Sequence, residues 1–277
     1  MTTIKQALEK ATLALKPHEE ARIDAEVLLC HVLQASRAFL YAHGDDKLSP
    51  VLDAQFDALI KARQTGQPVA YLTGTKEFWS LHFSVNTSTL IPRPETELLV
   101  ETTLQLAPKE TTDLLELGTG SGAISIALAH SRPHWRLTAT DISDLALQTA
   151  RANADQLSLT HIEFLNSDWF EDLPLKHFDI IVSNPPYIED NDPHLNQGDL
   201  RFEPKNALAS GPDGLNALRR IIFDATRFLK PQGFLLLEHG YQQAEAVKTL
   251  LQAQQFQNIM CHLDLQGHPR VTSAQAH

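Results

Sequence analysis

The residues best suited to chemistry are Asn184-Pro185-Pro186-Tyr187, which close an apolar run from Phe178 to Ser183. The run reads as a buried strand, so the tetrapeptide falls where the open edge of a parallel sheet holds its ligands. Neither proline has an N–H. The carbonyls of Asn184 and Pro185 therefore have fewer local donors and can point at a ligand. Together with the Asn184 side-chain oxygen they form converging acceptors that match an NH2 group. Tyr187 adds a flat face on which a planar group can stack. The chain is suited to holding a planar group that bears an NH2.

A second constellation lies upstream. The short apolar strand Asp113 to Leu117 runs into Gly118-Thr119-Gly120-Ser121-Gly122, and a helical pattern follows with Ile124, Ala127 and Leu128 on one face. Glycines there let the chain turn sharply and bring backbone close to a ligand. A second strand, Arg136 to Thr140, ends in Asp141, nineteen residues after Gly122. An acidic residue at that place can hydrogen-bond both hydroxyls of a ribose. After the third strand, Asn166-Ser167-Asp168-Trp169 offers Asp168 to an adenine amino group and Trp169 as a cover for the ring, with a surface turn as the plainer reading of Ser167. Gly118, Gly120 and Ala123 also satisfy the dinucleotide fingerprint, so hydride transfer stays open, as does a simple strand-to-helix turn. Glu116 inside its strand and the Asn-Pro-Pro-Tyr stretch fit a methyl-donor site better than a nicotinamide site. Equilibrium binding of S-adenosylmethionine against NAD separates the two.

Glu116-Leu-Gly-Thr-Gly-Ser-Gly122, Asp141 and Asn184-Pro-Pro-Tyr187 resemble the class I S-adenosylmethionine-dependent methyltransferases that act on amino groups. The closer likeness is to the release-factor glutamine N5-methyltransferases. It extends to Pro68-Val-Ala-Tyr-Leu-Thr-Gly74, Leu90-Ile-Pro-Arg-Pro-Glu-Thr-Glu97, Glu203-Pro-Lys-Asn-Ala-Leu208, Asp213-Gly-Leu215 and Asp264-Leu-Gln-Gly-His-Pro-Arg-Val271. Ser210 and Pro212 depart from the family pattern. The resemblance implies catalytic roles for Asn184, Pro185 and Tyr187, with Pro186 joining them in binding the substrate. It implies cofactor contacts from Gly118, Thr119, Gly120, Ser121, Gly122, Asp141, Asp168, Trp169 and Asn184, and no metal. S-adenosyl-L-methionine would be the methyl donor and S-adenosyl-L-homocysteine the product. The implied substrate is the glutamine of the Gly-Gly-Gln motif in class-1 peptide chain release factors. The rival reading is an adenine N6 methyltransferase acting on nucleic acid, since similar tetrapeptides serve there. A non-catalytic partner-binding protein of the same fold is the other alternative.

Composition narrows these readings. The net charge is −11, and residues 1–75 hold eight basic and nine acidic side chains. The rest of the chain therefore carries almost all of the negative excess. A nucleic-acid enzyme needs a basic recognition surface, because phosphate contacts dominate such affinity and a duplex base must be flipped out. The balance argues against direct nucleic-acid contact, and none is expected, although a local basic patch would keep that reading open. No apolar run approaches membrane length, and the N-terminus has no signal-peptide core. Cys30 and Cys261 both sit in apolar patterns and read as buried, reduced thiols of a cytoplasmic protein, expected to be a monomer. The thirteen histidines form no ligand cluster.

The elements that must position these residues alternate strand and helix from residue 112 onward. Strands are expected at 112–117, 136–141, 162–166, 178–184, 234–239, 257–263 and 269–273, and helices near 121–131, 143–157, 214–229 and 242–253. Pro231-Gln232-Gly233 reads as a turn. The pattern is that of an α/β protein with a doubly wound, seven-stranded, mostly parallel sheet. By resemblance its last strand is antiparallel. Residues 1–75 read as a small helical domain for substrate docking, a helical cap that stabilises the fold being the plainer alternative, with Ile4, Leu8, Ala11 and Leu15 on one helix face and a second helix through Ile23, Val27 and the apolar stretch Leu28 to Leu33. A third helix opens at Ser49-Pro50 and carries Phe56 and Ile60. Residues 76–93 form a linker in which Phe78 to Val85 alternates as a strand, able to pair with residues up to Leu90. Residues 94–277 form the methyltransferase domain. The long connection from Glu189 to Asp213 follows Tyr187 directly and is expected to shape the substrate groove.

Overall fold

The computed structural model describes residues 2–16, 18, 20–107 and 111–277. The chain divides into two compact units, Met1–Thr75 and Lys76–His277.

The first unit is helical: α1 (Ile4–Ala14), α2 (Ala21–Leu33), α3 (Arg37–Ala42), α4 (Pro50–Gln64) and α5 (Val69–Thr73). Thr3 opens α1 with a capping box closed by Gln6, and Ser49 caps α4 ahead of a proline in the first turn. Ile4, Leu8, Ala11 and Leu15 are buried with Leu28, Leu29, Phe56 and Ile60 in one core. In α2 the inward face is Ala21, Ala25, Leu28 and Leu29, while Ile23 is 44% exposed. The expected helix through Ile23, Val27 and Leu28 to Leu33 is present, and Leu28 and Leu29 are the residues of that stretch that enter the core. Two carboxylates of the helix are buried as well, Asp24 bonded to Arg63 and Glu26 accepting from Arg22, Arg37 and Tyr41.

The second unit opens with a hairpin of β1 (Thr75–Phe78) and β2 (Leu81–Ser84), which begins at the last residue of the first unit. The expected strand from Phe78 is cut at once by a two-residue turn. Trp79 and Ser80 both have positive φ, the backbone that a tight hairpin requires. The turn is held from outside: the Trp79 N–H donates to Glu97 Oε1 at 2.7 Å and its indole N–H to Ser131 Oγ at 3.1 Å.

A single 3-10 turn, Pro94–Thr96, leads into α6 (Glu97–Leu106), and strands and helices then alternate. They are β3 (Asp113–Leu117), α7 (Ala123–Ser131), β4 (Arg136–Asp141), α8 (Asp144–Gln156), β5 (Ile162–Asn166) and β6 (Phe178–Ser183). The series ends with α9 (Asn216–Ala225), β7 (Leu229–Glu238), α10 (Ala244–Ala253), β8 (Gln257–Leu263) and β9 (Pro269–Gln275). The seven strands stand in the order β5-β4-β3-β6-β7-β9-β8, parallel except for β9, which is antiparallel to both neighbours.

Alternate strand residues feed two cores. Leu114, Ile180, Val182 and Leu236 pack with α6 and α7, while Leu115, Leu117, Ile181, Leu235 and Leu237 pack with α9 and α10. Helix α7 is buried on every side from Ala123 to Ala129, not on one face. Strand β7 starts earlier than its apolar run, and Pro231-Gln232-Gly233 lies inside it at a register shift opposite Phe178 and Ile180. Both cysteines are free, but neither is fully buried: Cys30 is half-buried, and Cys261 is exposed because β8 is the outermost strand. Among the described residues no helix is long and apolar enough to cross a membrane.

Candidate active site

The carboxyl ends of five strands meet at one level. Leu117 of β3 pairs with Thr140 of β4 and with Ser183 of β6, Asp141 pairs with Asn166 of β5, and Ser183 pairs with Leu237 of β7. The next residues outward are Gly118, Asp141, Asn166, Asn184 and Glu238. The chain moves outward from β3 to β4 and β5 on one side and to β6 and β7 on the other, so a crevice opens between the β3 and β6 ends.

A cavity of about 280 Å³ fills that crevice. Gly118, Gly120, Asp141, Asp168, Trp169, Asn184 and Pro186 line it, all named by the sequence. At Gly120, where φ is +56°, a Cβ would meet nothing within 4 Å, so the backbone there borders open space a ligand can fill. Asp141 stays in place because Oδ2 accepts the Gly120 N–H and Oδ1 the Ser143 N–H, each at 2.9 Å. Burial raises the pKa of its carboxyl, and those backbone donors oppose the rise. A second lone pair on each oxygen remains for hydroxyls. Trp169 forms the wall beside Gly118, whose Cβ would lie 3.7 Å from the indole ring. Asp168 borders the cavity, but its carboxylate is engaged by Arg220 Nη1 of α9 at 3.0 and 3.1 Å.

Thr119, Ser121 and Gly122 are absent from this lining among the described residues. The Thr119 hydroxyl donates to Glu116 Oε2 at 2.7 Å, and the Ser121 carbonyl accepts from Asn153 at 2.8 Å. A Cβ on Gly122 would press into Ile126 and Ala150, so this glycine lets α7 approach α8. Glu116 is fully buried and also accepts the Ser125 N–H at 3.1 Å and the Ser125 hydroxyl. Its Oε1 has no partner among the described residues. Burial pushes its carboxyl up to about 7, against the hydrogen bonds from Ser125 and Thr119. These groups shape the loop from behind.

A second, smaller cavity of about 60 Å³ adjoins the first. Arg93, Asn184, Pro185, Pro186 and Tyr187 line it, and Asn184 and Pro186 border both spaces. The Asn184 Nδ2 donates to Thr96 Oγ1 at 3.2 Å, which leaves Oδ1 as the free acceptor. No backbone hydrogen bond reaches the Pro185 carbonyl among the described residues. The Tyr187 hydroxyl donates to Glu238 Oε1 at 3.3 Å, and burial with that neighbouring carboxyl raises the tyrosine pKa far above its ordinary value. Tyr187 is neutral at any physiological pH.

Several further contributors are not picked out as site residues by the sequence, although Leu90, Arg93 and Glu203 lie in stretches that carry the family resemblance. Arg93, fixed between two prolines, ion-pairs with buried Glu203, whose Oε2 also accepts the Ile91 N–H at 3.0 Å. This pair ties the stretch before α6 to the connection 189–213. That connection is ordered by three 3-10 turns and by a parallel bridge between Ile188 and Ala209. Ile142, 59% exposed at the cavity rim, and Ser88, Thr89 and Leu90 also line the larger space, as do Pro204, Asn206 and Ala207 of that connection.

Two profiles match this chain: a "PrmC N-terminal domain" over residues 6–74 and a "Methyltransferase small domain" over residues 94–203. The release factor glutamine methyltransferase of Xylella fastidiosa (strain Temecula1) is 48% identical over 263 residues, 95% of this chain and 96% of the relative. That of Vibrio cholerae is 46% identical over 276 residues, 99% of this chain and 96% of the relative. The chain belongs to the release factor glutamine methyltransferase family. Solved structures agree on the fold of this family member. A methyltransferase from Pyrococcus furiosus superimposes with a TM-score of 0.55 at 16% identity, covering 79% of this chain and 96% of the other. The Thermus thermophilus 16S rRNA N2 G1207 methyltransferase, solved with AdoMet and guanosine, gives 0.53 at 20% identity, covering 73% and 50%. The cavity of this family member suits a nucleoside-bearing cofactor. A glycine backbone lies open, a carboxylate has lone pairs free for ribose hydroxyls, and an indole forms one wall.

Proposed function

We propose that this protein transfers a methyl group from S-adenosylmethionine to the side-chain amide nitrogen of the glutamine in the Gly-Gly-Gln motif of class-1 peptide chain release factors. The observation that carries the reading is the meeting of two cavities at Asn184 and Pro186, one sized for a nucleoside and one for a small planar group. Family membership supplies the substrate class.

When bound, S-adenosylmethionine supplies an electrophilic methyl group. Gly118 and Gly120 give its site a close backbone wall, Asp141 takes the ribose hydroxyls, and Trp169 covers the base. The glutamine amide is a poor nucleophile, because its nitrogen lone pair is delocalised into the carbonyl. Asn184 Oδ1 and the Pro185 carbonyl accept its two N–H groups and set the nitrogen toward the larger cavity. As a bond to carbon forms at nitrogen, positive charge develops there, and the same two oxygens stabilise it. Neutral Tyr187 holds the amide plane and takes no proton. The nitrogen's surplus proton leaves to solvent after transfer.

Intact mass of an unmodified release factor, after incubation with the protein and S-adenosylmethionine, tests the proposal. The expected result is a gain of one methyl that is lost when the motif glutamine is replaced. Methyl appearing on a duplex DNA control, and not on the release factor, would assign the site to adenine instead. Asn184→Ala should lower kcat by about 100-fold or more, while cofactor affinity changes little. Near-normal turnover in that variant would overturn the amide-holding mechanism.

A further inference from the structure

Trp169 walls the larger cavity from a backbone that its side chain does not favour. Its φ is +56°, in the left-handed region. For a bulky residue that conformation is an outlier, kept only where the surroundings over-determine it. The direction of the Cα–Cβ bond follows the backbone, so the indole stands against Gly118 only while that conformation holds. The neighbours of Trp169 supply part of the restraint. Phe170 is buried, and its ring stacks on Phe228 with centroids 4.7 Å apart. The buried Ser167 spans the turn: its hydroxyl donates to the Trp169 carbonyl at 3.0 Å and accepts the Asp172 N–H at 3.1 Å. The Glu171 N–H donates to the Asp168 carbonyl at 3.2 Å.

The remaining restraint comes from outside the turn. Arg220 of α9 donates through Nη1 to both carboxylate oxygens of Asp168, at 3.1 and 3.0 Å, and through Nη2 to Glu171 Oε1. One guanidinium thus joins the residue before Trp169 to the residue two beyond it. We propose that Arg220 is a positioning residue for the cofactor: by clamping Asp168 and Glu171 together it keeps Trp169 left-handed and its indole in the cavity wall. This rests on the role given above to Trp169, as the cover over the base of S-adenosylmethionine. Among the described residues Arg220 is not part of the cavity lining, so it reaches the cofactor only through the turn.

An isolated surface ion pair would hold nothing so firmly, since solvent screens it and both side chains lose freedom in forming it. This arrangement differs in two respects. Arg220 and Asp168 are only about one-third exposed, at 35% and 36%, and the planar guanidinium turns two nitrogens to two separate carboxylates. Leu218, Ile221 and Ile222, all buried, anchor α9 in the core, so Arg220 meets the turn from a fixed base. A carboxylate offers about four acceptor sites, so the clamp still leaves Asp168 able to accept from an adenine amino group.

The test compares Arg220→Gln, Arg220→Lys, Trp169→Ala and the Arg220→Gln/Trp169→Ala double variant in the full chain. Calorimetry reads S-adenosylmethionine affinity. Acrylamide quenching without ligand reads the exposure of Trp169, with Trp169→Phe supplying the signal of Trp79 and Trp135 to be subtracted. Arg220→Gln should weaken cofactor binding by about 5- to 10-fold and open Trp169 to the quencher. The loss should appear in the KM for S-adenosylmethionine and not in kcat. Arg220→Lys keeps the charge without the fork and should fall between glutamine and wild type. In the Trp169→Ala background the Arg220 change should add no further loss, because its effect runs through the indole. Wild-type affinity and quenching in Arg220→Gln, or losses that multiply in the double variant, would overturn the proposal. Tighter binding would overturn it too, by showing that Arg220 competes with the cofactor for Asp168. If Arg220→Gln fails to fold, Arg220→Lys takes its place in the cycle, and wild-type affinity there overturns the proposal. If Trp169→Ala binds cofactor weakly while Arg220→Gln binds it normally, only this inference falls; if Trp169→Ala binds it normally, the reading of Trp169 as the cofactor's cover falls and takes this with it.

Discussion

Asp141 shows how one carboxylate both builds a site and serves it. Its two oxygens hold the Gly120 and Ser143 N–H groups, so the side chain fixes the glycine loop on one side and the start of α8 on the other. In the function proposed above, removing it takes away the ribose acceptor and frees the backbone of the glycine loop. Asp141→Ala should weaken S-adenosylmethionine binding by about 10- to 100-fold, as expected for hydrogen bonds to a charged group, while kcat at saturating cofactor stays close to normal. Calorimetry and saturation kinetics check the two halves. A loss confined to kcat would mean that Asp141 acts on the amide instead. Asn184 is predicted to show the opposite pattern, so the two variants together map the boundary between the cavities.

At the scale of elements, the position of the Asn-Pro-Pro-Tyr turn depends on its neighbours. Gly214, with φ of +70°, lies against the Tyr187 carbonyl, and a Cβ there would approach that oxygen to 2.3 Å. Gln243, ahead of α10, donates to the same carbonyl at 2.9 Å. Gly214→Ala should therefore cost about 1–3 kcal/mol of stability from left-handed backbone and crowding, and should lower kcat by displacing Tyr187. Chemical denaturation and turnover check it; an unchanged kcat would show the turn to be rigid without this contact.

The glycine loop, Asp141 and Asn184 to Tyr187 were legible in the sequence because each ends a short apolar run, and strand ends announce themselves by a break in hydrophobicity. What pairs across the fold was not legible. Arg93 and Glu203 are 110 residues apart, and Tyr187 and Glu238 are 51 apart, so no spacing rule connects them. The turn at Trp79-Ser80 was hidden for a related reason. Its first left-handed residue, Trp79, is held by Glu97 and Ser131, and tryptophan favours strand when read alone.

For the whole molecule, buried carboxyls set a pH dependence of stability. Glu116 and Glu238 are each pushed up to about 7 in the folded state, above the 4.5 of an ordinary glutamate. Both states hold the proton below about 4.5, and only the folded state keeps it between 4.5 and 7. Their contribution is thus complete at the acid end and is lost as pH rises to about 7. Asp113 works the other way. Arg136, and with it Lys230, hold its carboxyl well below the usual range despite partial burial, so its stabilisation is present above pH 3.8 and lost as pH falls below that. Denaturation midpoints should pass through a maximum between these windows. Glu116→Gln should flatten the decline toward pH 7, and an unaltered slope in that variant would remove Glu116 from the explanation.

The strand order carries a consequence for synthesis. Strands β7 and β8 are made in succession, yet they never touch, because β9 lies between them. A nascent chain that has reached the loop before Pro269 holds β8 with no strand to bind and β7 with one side bare. Val271, Thr272, Ser273 and Ala274, all buried, come after that point. The half of the sheet that carries Glu238 therefore closes only when β9 slides between two strands already made. A ribosome stalled short of β9 would display open strand edges, and chaperones that recognise such edges would find their target in that interval.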